Sequence, residues 1–156
     1  MGLKEIFTSD EWENLVSLPY AVSMAIMVAA PNVLGVWSET KAIMQEPAKL
    51  AAARGSSLVG LLLAEMQPGI KDHMKKQQDT WKHDQAGYRG KTLEACRSAA
   101  AALVKVPPEE ALAYTTWVLA IGRKVAEAAK EHGVAVSDPE KAALAEISGA
   151  LGISTA

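Results

Sequence analysis

LPYAVSMAIMVAAPNVLGVW, Leu18 to Trp37, is the stretch on which the fold turns, and no charged residue occurs from Asn14 to Ser38. A membrane-spanning helix needs about 20 consecutive apolar residues. Pro19 and Pro31 leave only Tyr20 to Ala30 between them, and neither flank carries a Lys or Arg to set an orientation. The segment therefore predicts a buried helix over Tyr20–Ala30, apolar nearly all round (Val22, Met24, Ile26, Met27, Val28), at the centre of a soluble domain. Upstream, Thr8-x-x-Glu11 matches a capping box and starts a short helix to Leu18. Pro19 then fits the first turn of the next helix, where its missing N–H costs nothing.

Helix punctuation continues outward from this segment. Pro31-Asn32 marks a turn, and a third helix carries Leu34, Trp37 and Ile43 or Met44 inward until Pro47. Gly55-Ser56-Ser57 supplies a break and caps before Leu58, Leu61, Leu62 and Met66, and Pro68-Gly69 closes that helix. Ile70, Met74, Gln77 and Trp81 form the inward stripe of an amphipathic helix. Gly87 and Gly90 predict another break before a helix with Leu93, Cys96, Ala100 and Leu103 inward, and Pro107-Pro108 ends that helix. A long helix follows to about His132, with Tyr114, Trp117, Ile121, Val125 and Ala128 on one face. Glu109 and Glu110 stand at its start and Lys130 at its end, as the helix dipole favours, with Gly133 as the stop. Ser137-Asp-Pro-Glu140 is a second capping box, ahead of Leu144, Ile147, Leu151 and a terminating Gly152.

The expected architecture is one all-α domain over residues 1–156, a bundle of seven to nine helices that is not a coiled coil. Composition agrees: 28 Ala and 15 Leu outnumber 12 Val and 7 Ile, and aromatic residues make up 5% of the 156-residue chain. At 49% hydrophobic and 22% charged, the chain is too apolar to be disordered. A single Cys rules out an internal disulfide framework and fits a cytoplasmic protein. Acidic residues before the apolar run oppose a secretory signal, and the opening Met-Gly-Leu-Lys-Glu-Ile lacks the myristoylation Ser or Thr. Charge is uneven. Residues 1–70 carry 4 basic and 7 acidic groups (net -3), residues 71–105 carry 8 and 4 (+4), and residues 106–156 carry 4 and 7 (-3).

That basic middle contains the candidate chemistry. Gly87-Tyr-Arg-Gly90-Lys91-Thr92 ends like a phosphate-cradling loop, but Gln85 occupies the position of the first glycine and no strand precedes it. Asp72, Asp79 and His83, with His73 nearby, are the candidate metal ligands. Asp72, Asp79 and His83 fall opposite the Ile70/Met74/Trp81 stripe, on a face expected to meet water. Neither Glu-x-x-His nor His-Glu-x-x-His occurs, so the common di-iron and zinc patterns fail. Lys75, Lys76 and Lys82 with Tyr88, Arg89 and Lys91 make a strip that could meet phosphates, Tyr88 stacking on a base, though Trp81 is needed inside and the overall pI is about 5.9. Cys96 sits at core spacing, where desolvation should leave its thiol inert. No catalytic residue, cofactor or metal is therefore expected, and neither a nucleic acid nor a membrane is the expected partner.

WVLAIGRKVAEAAKEHG (Trp117–Gly133) followed by VSDPEKAALAEISGALG (Val136–Gly152) resembles a family of small uncharacterised bacterial helical proteins. In that family a Val-Ala-Glu-Ala-Ala-Lys-Glu helix leads through a loop to a Val-Ser-capped final helix. The Tyr20 helix and its APNVLGVWSE continuation (Ala30–Glu39) are similar too. The chain departs at His132–Val136, where that family has a longer loop rich in Gly and Phe. The final helix also resembles tellurite-resistance TerB-like domains, which implies an all-helical fold linked to metal binding. The leading functional expectation is a non-enzymatic, cytoplasmic protein that works through contacts with itself, as a dimer, or with another protein. A binding domain for an apolar small molecule or metal, using the Met-rich helices (Met24, Met27, Met44, Met66, Met74), is the alternative. The third is an enzyme whose site, drawing on His73, His83 or Glu65, is assembled only by folding.

Overall fold

Thr8 and Glu11 form the predicted capping box: the Thr8 N–H donates to Glu11 Oε1 at 2.8 Å, and the Glu11 N–H donates to Thr8 Oγ1 at 3.1 Å. The computed structural model describes residues 3–29, 57–128 and 138–152. Within them are seven α-helices and no strand: α1 (Leu3–Ile6), α2 (Ser9–Ala29), α3 (Ser57–Met66), α4 (Ile70–His83), α5 (Gln85–Ala102), α6 (Pro108–Ala128) and α7 (Asp138–Leu151). The all-α expectation holds. The helix over 34–47, the Ser56 cap, His132 and the Ser137 capping box lie outside the described residues.

Two boundaries differ from the sequence reading. The helix begun at the Thr8 box does not stop at Leu18 but continues through Pro19 as one 21-residue helix. Proline removes the N–H that would have met the Leu15 carbonyl and its ring crowds that same oxygen, which normally ends or kinks a helix. Here the freed carbonyl has another donor, because the Tyr114 hydroxyl of α6 reaches Leu15 O at 2.9 Å. Ser23 Oγ meanwhile donates back to Pro19 O at 2.6 Å. The second difference is at Gly87 and Gly90, which lie inside α5 rather than in a loop before it. The break falls earlier, at the single residue Asp84, whose carboxylate caps α5 by accepting from the Gly87 N–H at 3.0 Å.

α2 is the hub. It packs against α3, α4, α5, α6 and α7, and around it α3 meets α6, α6 meets α7, α7 meets α5, and α5 meets α4. A 3₁₀ turn, Gln67–Gly69, closes the ring between α4 and α3. This is the setting predicted for a helix without a polar face: Leu15, Leu18, Val22 and Ile26 are fully enclosed. Facing them, Tyr114, Trp117, Ile121 and Val125 of α6 are also fully enclosed, each stabilising the fold by roughly 1.5–3 kcal/mol through burial. Gly122 lets α6 approach closely, since a Cβ there would stand 3.2 Å from Leu144 of α7 and 3.3 Å from Val22 of α2. Gly152, at φ +80°, ends α7 as expected.

Polar contacts fix how the ring is assembled. The Glu110 carboxylate at the start of α6 accepts the Leu58 N–H at 3.0 Å and the Ser57 N–H at 3.4 Å, so one helix supplies the N-terminal cap of another. Asn14 Nδ2 donates to Ala95 O at 3.0 Å, tying α2 to α5.

Candidate functional site

The corner between α4 and α5 holds most of the residues that the sequence singles out. α4 turns Met74 inward, with Ile70, Gln77 and Trp81 half-buried beside it, and presents Asp72, Asp79, Lys75, Lys76, Lys82 and His83 to solvent. That is the amphipathic division its spacing predicts. His73 lies on neither extreme: its ring stacks on that of the enclosed Tyr20, centroids 5.1 Å apart and planes 7° from parallel. The four candidate metal ligands therefore diverge, with Asp72, Asp79 and His83 in water and His73 against α2. Among the described residues no three His, Cys, Asp or Glu side chains gather closely enough to hold a metal ion.

The basic strip is largely tied to carboxylates. Arg89 Nε pairs with Glu146 of α7 at 2.9 Å, Lys91 with Asp84 at 3.4 Å, and Lys76 with Glu13 of α2 at 4.0 Å. Tyr88, the ring placed for stacking on a base, is 2% exposed and belongs to a small cluster with Met24, Ala25 and Trp81. Its hydroxyl donates to Gln77 Oε1, a short hydrogen bond that locks α5 to α4. Burial pushes the Tyr88 phenol up from its ordinary value. Lys75 and Lys82 point to water from α4. The strip thus consists of three contacts between helices, through Lys76, Tyr88 and Arg89, a fourth from Lys91 to the cap of its own helix, and two solvated lysines.

Asp84 explains the glycines. Its carboxyl is held below the ordinary carboxylate value, chiefly by the Gly87 N–H and further by Lys91 and the neighbouring His83, while partial burial opposes the shift. A Cβ on Gly87 would overlap Asp84 Oδ2, so the cap occupies the space a side chain would need. A string that reads like a nucleotide loop is thus a capped helix start.

The remaining candidates are enclosed or engaged. Cys96 is fully buried, and desolvation pushes its thiol up to about 12, leaving it without thiolate character at neutral pH. Glu65 pairs with Lys4 at 3.0 Å on the surface. Glu11, besides its capping duty, pairs with Lys105, which is the main reason its carboxyl lies below the ordinary value.

The inward stripe of α6 has an outward counterpart that its helical spacing does not single out. Leu112 there is 61% exposed, and Leu61, on the adjoining α3, is 44% exposed. The same side carries the part-buried Ala113, Thr116 and Ala120, bounded by exposed Glu109 and Arg123. A signal was available: the twelve residues 111–122 contain no charge, whereas an inward stripe alone requires apolar residues on only part of a helix.

Among the described residues no helix is long and apolar enough to cross a membrane. Compared with family models, curated proteins and solved structures, the chain matches none.

Proposed function

We propose that this protein is a non-catalytic interaction module of the bacterial cytoplasm, acting through contacts of its helical surface with a second copy or with another protein. The reading is carried by the outward side of α6, where three turns pass without a charge and Leu112 stands exposed at 61%. Surface helices normally put charged groups on their solvent face, and a large exposed apolar residue on an uncharged face is what a docking surface presents. The groups with chemical potential support the same reading, since Glu110, Asp84, Glu11, Arg89 and Tyr88 are each committed to a helix cap or an interhelix strut. A reducing compartment suits the lone, enclosed Cys96.

The test places a photo-activated cross-linking residue at position 112 in producing cells and follows purified protein by sedimentation velocity over a wide concentration range. Adducts of defined mass, or a mass that rises with concentration, are expected. A concentration-independent monomer that also yields no adduct overturns the proposal.

A further inference from the structure

We infer that the outward face of α6 pairs antiparallel with the same face of a second copy, about a two-fold axis at Thr116; this rests on the interaction reading above and names its surface and partner. At 100° per residue, Glu109, Leu112, Thr116, Ala120 and Arg123 fall within an arc of about 80°. Buried Tyr114, Val118, Ile121 and Val125 take the opposite side, and buried Leu119 and Ala126 lie directly beside Leu112, so the outward face is a narrow strip in which Thr116 and Ala120 are half-buried. The outward set is symmetric in sequence: Leu112 and Ala120 stand four residues either side of Thr116, and Glu109 and Arg123 stand seven. Four and seven residues are one and two turns, so all five positions share one face over about 21 Å of helix.

A two-fold contact requires a surface complementary to itself, with residue i over j and j over i. Antiparallel pairing centred on Thr116 lays exposed Leu112 over the small Ala120 of the other copy, twice. It also brings Glu109 beside the other copy's Arg123, again twice. Parallel pairing would set Glu109 against Glu109 and Arg123 against Arg123. Charge complementarity therefore selects both the partner and the direction. Glu109 and Arg123 are available for this: both are exposed and, among the described residues, neither has an ion-pair partner. The contact has an uncharged centre and a charged rim, in keeping with the depletion of charge at the core of protein interfaces generally.

Charge reversal tests it. Glu109→Arg puts like charges together at both ends of the pair, and Arg123→Glu does the same. Each variant alone is expected to self-associate about tenfold more weakly or worse, given the ordinary strength of exposed ion pairs. Mixed in equal amounts, the two variants should recover wild-type affinity, because in the mixed dimer opposite charges face each other again at both ends. At one end the two substituted positions meet, and at the other the native Arg123 of one variant meets the native Glu109 of the other. Sedimentation equilibrium reads all four samples, and unchanged thermal melting by circular dichroism shows the variants folded. As an independent check, Thr116→Cys should form a disulfide-linked dimer on mild oxidation with diamide, while Glu94→Cys on α5 should not. Single variants that associate like the wild type, a mixture that fails to recover, or a wild type that stays monomeric throughout would each overturn the inference. Position-112 adducts with a different protein, alongside a monomeric chain, would overturn it while leaving the interaction reading in place.

Discussion

Pro19 and Asp84 make an instructive pair. At Pro19 the chain holds the strongest helix breaker there is, and the helix continues. At Asp84 there is neither proline nor glycine, and the helix breaks; the glycines that look like a break lie inside the next helix. The difference is in who satisfies the backbone. Proline leaves one carbonyl, Leu15 O, without its N–H, and α6 supplies the Tyr114 hydroxyl in its place. Around Asp84 the donors at the start of α5 need an acceptor, and the residue's own carboxylate supplies it on the Gly87 N–H. A breaker in the sequence is thus a demand for a hydrogen-bond partner. Whether the helix stops depends on whether a distant residue meets that demand.

The largest effect separating the two regions should come from Tyr114→Phe. The substitution keeps the enclosed ring but removes the donor to Leu15 O, leaving a carbonyl with neither water nor protein to bond. It should cost about 1–3 kcal/mol, measured by urea unfolding. The comparison sharpens in a double-mutant cycle with Pro19→Ala, which restores an N–H at position 19. In the Pro19→Ala background Leu15 O regains an intrahelical donor, so Tyr114→Phe should cost clearly less there. Equal costs in both backgrounds would mean that the hydroxyl does not substitute for the missing N–H, and the account of the unbroken helix would fail.

This contrast also shows how far the sequence is legible. Much that is local could be read: the Thr8/Glu11 box, the inward stripe of α4, the Pro107–Pro108 boundary and the glycine stop at 152 depend on neighbours within a turn or two, whereas the Asp84 cap, equally local, was masked by the glycines beside it. The apolar Tyr20 helix named its own position, because a helix without a polar face has nowhere to go but the middle. The rest of what stayed hidden depended on partners far along the chain. Leu15 and Tyr114 are 99 residues apart, and the Glu110 carboxylate that caps α3 is 52 residues from Leu58. Tyr88 illustrates the same limit at the candidate site: its basic neighbours suggest an exposed ring, and only the fold places Gln77, Met24 and Trp81 around it. The outward face of α6 was readable in part, since the run 111–122 is longer than an inward stripe explains. Periodicity weighs what a helix buries, and says little about what it shows to water.

A smaller effect distinguishes the two glycines of α5. Gly90→Ala adds a methyl group with nothing within 4 Å, inside a helix where alanine is preferred, and should stabilise by roughly 0.5–1 kcal/mol. Gly87→Ala gains the same propensity but drives the new Cβ into Asp84, so the cap must be given up and the gain is offset. Its net change should therefore be near zero or destabilising. Melting temperatures of the two variants moving apart, Gly90→Ala upward and Gly87→Ala not, is the expected result. Equal increases would show that Asp84 is not what requires glycine at 87.

The smallest effect is in the pH dependence, and it again separates the two regions. Asp84 has a folded-state value below its ordinary 3.8, set first by the Gly87 N–H and then by Lys91. A carboxyl lowered on folding contributes its stability fully above the unfolded value and loses it as pH falls through the lower, folded one. Asp84→Asn keeps a side chain able to accept from Gly87 but does not titrate, so it should flatten the acid limb of the stability curve below about pH 4. Glu11, lowered mainly by Lys105, keeps part of that limb in place. Tyr114 responds at the other end: burial raises its phenol well above 10.0, so its contribution is complete below that value and is lost only as pH rises through the folded one. Tyr114→Phe should accordingly lower the whole acid limb without changing its slope, whereas Asp84→Asn changes the slope. Denaturant midpoints of both variants between pH 2 and pH 7 separate a corner held by an ionised group from a junction held by a neutral one, and matching slopes would erase that distinction.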